Sequence, residues 1–146
     1  MTKKEIIEIV NKIINDLDTK VFAEDENKKD KIGCNQFREL SSLCRNSECY
    51  SEIELLVRYN EAKASPNSSW KKKMKNQKSL ASCILDGMSE IKTKSDSEKD
   101  CMENLCLYYG YLYWNARIFA ARNKEDGSQG YPANKNSKNN NKNNKY

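Results

Sequence analysis

Apolar residues in this chain recur at steps of three and four, and three stretches keep that rhythm over several turns. Ile6, Ile7, Val10, Ile13, Ile14, Leu17 and Val21 form the first. Trp70, Met74, Gln77, Ala81, Ile84, Met88 and Ile91 form the second, and Met102, Leu105, Tyr109, Leu112, Ala116 and Phe119 the third. This spacing gathers apolar side chains on one face of an α-helix, whereas a half-buried strand needs alternation every second residue. Each such helix is half of an interface, so the chain must fold by packing helices on one another.

Punctuation between the stretches sets the helix count. Ala23 to Lys31 is almost wholly charged and precedes Gly33, which reads as an exposed loop. Asn35 can cap a second helix carrying Phe37, Leu40, Leu43 and Cys44 on one face. Ser51-Glu52-Ile53-Glu54 has the form of a capping box, opening a third helix that runs to about Ala64 and is stopped by Ser65-Pro66-Asn67. Ser68 or Ser69 then caps a fourth helix from Trp70 onward, the longest of the set. Ser95-Asp96-Ser97-Glu98 and the overlapping Ser97-Glu98-Lys99-Asp100 offer two starts for a fifth. The fourth and fifth, joined by a turn at Thr93 to Ser95, are expected to face each other as an αα-hairpin. The expected fold is all-α: a compact bundle of about five helices over residues 1–126.

Beyond Asp126 the composition turns to Gly127, Gly130 and Pro132, and then to a run of Asn, Lys and Ser ending in Tyr146. Such a tract lacks the apolar surface to fold, so residues 127–146 are expected to be a disordered tail. A length of 146 residues suits one domain with a tail. Glu5 and Glu8 interrupt the apolar residues that follow Lys3-Lys4, unlike a secretory leader. The longest uncharged stretch, Asn104 to Ala116, is shorter than the roughly 20 residues a spanning helix requires. The expectation is a cytoplasmic protein with no membrane segment.

That compartment decides how the cysteines are read. Cys34, Cys44, Cys49, Cys83, Cys101 and Cys106 would suggest disulfides in an exported protein, but here they read as reduced thiols packed in the core. The pairs Cys44/Cys49 and Cys101/Cys106 are five apart, at the long end of zinc-ligand spacing and pointing away from each other on a helix. A thiol-bound metal is therefore the lesser reading, and no metal or cofactor is expected. Histidine is absent, which removes the commonest general base and metal ligand. No glycine-rich phosphate loop, H-E-x-x-H, G-x-S-x-G or EF-hand loop occurs, and a cysteine nucleophile would lack its usual His. No catalytic residue is assigned.

The net charge of +5 is unevenly placed. Residues 1–64 and 95–126 are each net −2, residues 65–94 are net +5, and no acid occurs between Lys63 and Asp86. On an uninterrupted fourth helix Lys71, Lys75 and Lys78 would lie at i, i+4 and i+7, with Lys72 further round, as one basic stripe. Such a stripe suits a phosphate backbone, and it is equally a solvated helix face. The fifth helix poses a parallel question. Tyr108, Tyr109, Tyr111, Tyr113 and Trp114 fall within seven residues, more aromatic surface than one seam can bury, with Arg117 and Arg122 beyond. Tyr109 belongs to the seam. Tyr108, Tyr111, Trp114, Arg117 and Arg122 are the candidate partner-binding set, a composition found in protein hot spots and in platforms that stack bases.

The order of these features resembles the small helical subunit of type III-A CRISPR effector (Csm) complexes. Gly33-Cys34-Asn35-Gln36-Phe37-Arg38 is similar to a T-x-x-Q-[IL]-R segment that opens a helix in that family. Leu55-Leu56-Val57-Arg58-Tyr59 is similar to its leucine-rich, basic, Tyr-containing helix, and Leu105 to Ala121 to its aromatic and alanine-rich last helix. The resemblance spans about residues 5–122. It implies a non-catalytic subunit, present in several copies, that contacts the backbone of guide RNA and target RNA and stacks with other subunits of the complex. Gln36, Arg38 and Arg58 are the RNA-binding residues it implies; Lys71, Lys72, Lys75 and Lys78 join them on charge alone. The alternative expectation is a helical adaptor that binds protein through the fifth helix and no nucleic acid.

Overall fold

The computed structural model describes residues 1–23 and 32–129 and shows five α-helices. They are α1 (Lys3–Asp16), α2 (Cys34–Asn46), α3 (Tyr50–Lys63), α4 (Leu80–Lys94) and α5 (Glu98–Gln129). The all-helical bundle is the one the apolar rhythm implies. Two further pieces are short: single 3₁₀ turns at Thr19–Val21 and Ser69–Lys71, and a parallel pairing of β1 (Phe22–Ala23) with β2 (Ile32–Gly33). The tail expected over 127–146 lies outside the described residues from 130 onward, and α5 itself continues through Gln129.

Helix starts differ from expectation in instructive ways. Thr2 and Glu5 form a full capping box on α1, each satisfying an amide of the other. Asn35 lies inside α2, not before it. The Ser51 box is not formed. Helix α3 begins two residues earlier, its N-cap Cys49 offers no side-chain cap, and the Tyr50 amide donates to Glu98 Oε1 at 3.2 Å. A tertiary acceptor from the start of α5 thus replaces the local one. Ser97 does cap α5, accepting from the Asp100 amide, while Asp100 returns a carboxylate oxygen to the Asp96 amide.

Helix α5 is the axis of the fold. Its most extensive neighbour is α2, running antiparallel to it, where Ser41 Oγ donates to the Cys106 carbonyl at 2.9 Å and Gly110 faces Ser41. The expected α4/α5 hairpin is present, but α4 is the lesser of the two partners. There Tyr108 donates to the Ile84 carbonyl at 3.0 Å and Tyr109 to Met88 Sδ at 2.8 Å. Gly87 is what allows this approach: a Cβ there would fall inside the Tyr108 hydroxyl and within 3.2 Å of Ile9. Towards the C-terminal half of α5 a row of rings closes the core, Phe119 on Phe22, Phe22 on Phe37 and Phe37 on Trp70, with centroids 6.1 to 6.5 Å apart.

Candidate interaction surfaces

The lysine-rich segment is the first expectation the structure overturns. Residues 72–79 are not helical; they form a tight hairpin in which Lys73 bridges Ser79, Met74 donates to the Lys78 carbonyl and Leu80 to the Lys72 carbonyl. The three-residue tip ends on Gln77 at φ 69°, the left-handed residue that a turn of this length requires. No continuous helix joins Lys71 to Lys78, so the stripe does not exist. The lysines point to different neighbours instead. Lys71 Nζ reaches the Ala64 carbonyl at the end of α3, and Lys75 Nζ the Asn15 carbonyl at the end of α1. Lys72 pairs with Asp18 at 3.4 Å and Lys78 with Asp86 at 2.7 Å. Met74 is buried here as the rhythm implied, though on a loop. Helical spacing and this hairpin both bring residues 70, 74 and 81 inward, which is why periodicity could not tell them apart.

Two of the three segments carrying the family resemblance meet. Gln36 and Leu56, twenty positions apart in sequence, line one groove of about 530 Å³ between α2 and α3, with Glu39, Asn60, Lys63 and Trp70. The Trp70 indole donates to Gln36 Oε1 at 2.9 Å, which fixes the amide and leaves its NH₂ group as a donor. Arg38 is exposed on the outer face of α2, beside Asn35, Glu39 and Ser42, and pairs with no acid among the described residues. Arg58 is exposed and bound to Glu54 at 2.9 Å, so its charge is shared. The structure therefore gathers Gln36, Arg38 and Lys71 around α2 and the end of α3, leaves Arg58 on the outer face of α3, and sends Lys72, Lys75 and Lys78 to the α1 and α4 side. Lys63 and Tyr59 were missed. Lys63 lies over the Tyr59 ring at 5.0 Å, and Tyr59 and Leu55 are among the most exposed large side chains. The signal was the run Leu55-Leu56-Val57, three apolar residues that cannot all face inward on one helix.

Helix α5 divides its aromatics. Tyr108 is fully buried and cannot bind a partner, against expectation; Tyr109 is buried with it, edge-on at 5.1 Å. Burial holds both phenols well above their ordinary pKa. Tyr111 and Tyr113 are half-buried, and Trp114 is 62% exposed with its ring 5.6 Å from Tyr111. Ile118, Arg117 and Arg122 are exposed one turn further on, with the Arg122 guanidinium over Phe119 at 5.4 Å.

The thiols occupy varied positions. Cys34, Cys44, Cys83 and Cys101 are buried, but Cys106 is half-buried and Cys49 exposed, so the core reading does not hold for the last two. Desolvation pushes Cys44 up to about 12 and raises Cys83 and Cys101, which keeps them as neutral thiols. Among the described residues no three Cys, Asp or Glu side chains come together as a metal site would require. Among the same residues no helix is long and apolar enough to cross a membrane. Comparison with family models, with curated proteins and with solved structures finds no match for this chain.

Proposed function

We propose that this chain is a non-catalytic, cytoplasmic small subunit of a type III CRISPR RNA-guided effector complex, holding guide and target RNA by their backbone without reading sequence, and stacking with other subunits and with copies of itself. The observation that carries this is the groove between α2 and α3. Gln36 and Leu56, one residue from each of two segments that resemble that family, line it with Lys63 and Glu39, and Arg38 lies on the adjoining face of α2. Arg38 and Lys63 form no ion pair among the described residues, though Glu39 lines the groove beside them; such cations bind phosphates and release counterions, while the Gln36 NH₂ group donates to a phosphate or ribose oxygen.

The same principle ranks the cations. Arg38 and Lys63 carry most of the binding; Arg58, Lys72 and Lys78 each have a carboxylate within 3.4 Å that a phosphate must displace. RNA affinity measured against salt should fall steeply, and Arg38→Ala or Lys63→Ala should each flatten the log–log slope by about 0.7 to 0.9. Lys72→Ala and Lys78→Ala should leave the slope nearly unchanged. Undetectable RNA binding at low salt, both by the chain alone and by the purified complex, would sink this reading. The adaptor reading, protein binding without RNA, is favoured by one observation: Trp114 and Ile118 stand exposed on one face of α5.

A further inference from the structure

One of the six thiols has a setting unlike the others. Cys106 is half-buried on α5, and its sulfur lies 3.9 Å from the Arg45 guanidinium and 3.5 Å from the Ser41 hydroxyl, both on α2. The Ser41 hydrogen goes to the Cys106 carbonyl at 2.9 Å, which leaves Arg45 as the group that favours a thiolate. Among the described residues no cation is bonded to the sulfur of exposed Cys49. Partial exposure beside a cation is the setting in which thiols react.

The Cys106 sulfur borders a cavity of about 680 Å³ between α2 and the first half of α5, within the size range of small-molecule sites. Met102 and Cys44 line it as well, at 4% and 1% exposure, and the Cys44 thiol makes no hydrogen bond among the described residues. The exposed rim carries two cations, Arg45 and Lys99, and two acids, Glu48 and Glu103. None of the four forms an ion pair among the described residues. A ligand matched to this rim has carboxylates and an ammonium group, and a ligand matched to the sulfur has a disulfide.

We propose that Cys106 is a modification site that captures a low-molecular-weight peptide thiol of the glutathione type as a mixed disulfide. Arg45 and Lys99 receive the carboxylates of the peptide, and Glu48 or Glu103 its ammonium group. The Cys106 thiolate attacks one sulfur of the oxidised peptide dimer and forms a new S–S bond as the old one breaks. The electron pair leaves on the second peptide as a thiolate, which takes up the proton that Cys106 gave up. The disulfide is itself the oxidant. Cys44 does not displace the captured peptide, because burial holds its thiol neutral, so the mixed disulfide is the end state. None of these residues belongs to the RNA reading of the α2/α3 groove.

The test uses the full chain near neutral pH with two probes: glutathione disulfide, and hydroxyethyl disulfide, which has no carboxylate. Mass spectrometry of peptides should place the first glutathione adduct on Cys106 before Cys49, and Cys106→Ser should remove it. Arg45→Ala should slow glutathione capture by about tenfold or more and Lys99→Ala by about threefold or more, with Arg45→Lys recovering part of the loss. Hydroxyethyl disulfide should be slowed less by Arg45→Ala and left unchanged by Lys99→Ala. Helical circular dichroism checks that each variant folds, and Lys99→Ala decides the matter alone if Arg45→Ala does not. The proposal is overturned by no adduct on the folded chain, by a first adduct on Cys49, by equal effects of these substitutions on both probes, or by a Cys44–Cys106 disulfide replacing the adduct.

Discussion

Two aromatic pairs lie within seven residues on α5 and have different fates. Tyr108 and Tyr109 are in contact at 5.1 Å and fully buried; Tyr111 and Trp114 are in contact at 5.6 Å, with Tyr111 half-buried and Trp114 exposed. Residue type and local sequence barely distinguish them. What separates them is rotation, since 100° per residue turns position 111 away from the core that receives 108 and 109. The inner pair holds α4 to α5 by hydrogen bonds to Ile84 and Met88, whereas in the outer pair the Trp114 ring stays exposed.

The sharpest separation of the two pairs is expected at high pH. Unfolded, the thiol of Cys44 and the phenol of Tyr50 ionise at their ordinary values of 9.0 and 10.0, but the fold holds both to about 12 and holds Tyr108 and Tyr109 well above 10.0. Folded pKa values raised in this way mean that the stabilisation is whole below about pH 9 and drains as pH rises towards 12. Thermal unfolding followed from pH 8 to 11 should show a steep fall in melting temperature on the alkaline side, with Tyr108 and Tyr109 ionising only on unfolding. Ionisation of every tyrosine in the still-folded protein near the ordinary phenol value would erase the distinction.

Next in size is Tyr109→Ala, which removes a ring from the centre of the core and should cost about 3 to 5 kcal/mol in denaturant unfolding. Gly87→Ala comes third, about 1 to 3 kcal/mol, because the Tyr108 hydroxyl cannot retreat from the new methyl without breaking its bond to Ile84. Tyr108→Phe should relieve that clash at a cost near 1 kcal/mol for the lost hydrogen bond, so the double variant should be more stable than Gly87→Ala alone. Smallest is Trp114→Ala, expected within about 0.5 kcal/mol of the parent. A large loss there would show that the outer pair also belongs to the core.

Much of this fold was legible because apolar periodicity is a local property. The faces of α1 and α5, the stop at Ser65-Pro66, and the Ser97 cap follow from spacing and side-chain chemistry within a few residues. The lysine segment was misread because burial at positions 70, 74 and 81 suits a helix and a hairpin alike, and the polar contacts that favour the hairpin come from elsewhere. Asp16 accepts from the Asn76 amide, and the Asp16 carbonyl from the Lys75 amide. Of the residues lining the α2/α3 groove, Gln36 stood out in the sequence through the resemblance, but Lys63 acquires its place only when the end of α3 closes beside α2.

The sequence alone therefore settled that this chain is a bundle of helices, which faces of those helices are apolar, and where its positive charge is concentrated. Only the tertiary structure decided which lysines are taken up by carboxylates and carbonyls, and which aromatics are core. The physical reason is that helix faces arise from bond geometry repeated every 3.6 residues, whereas the availability of a charge or a ring depends on what distant segments bring against it.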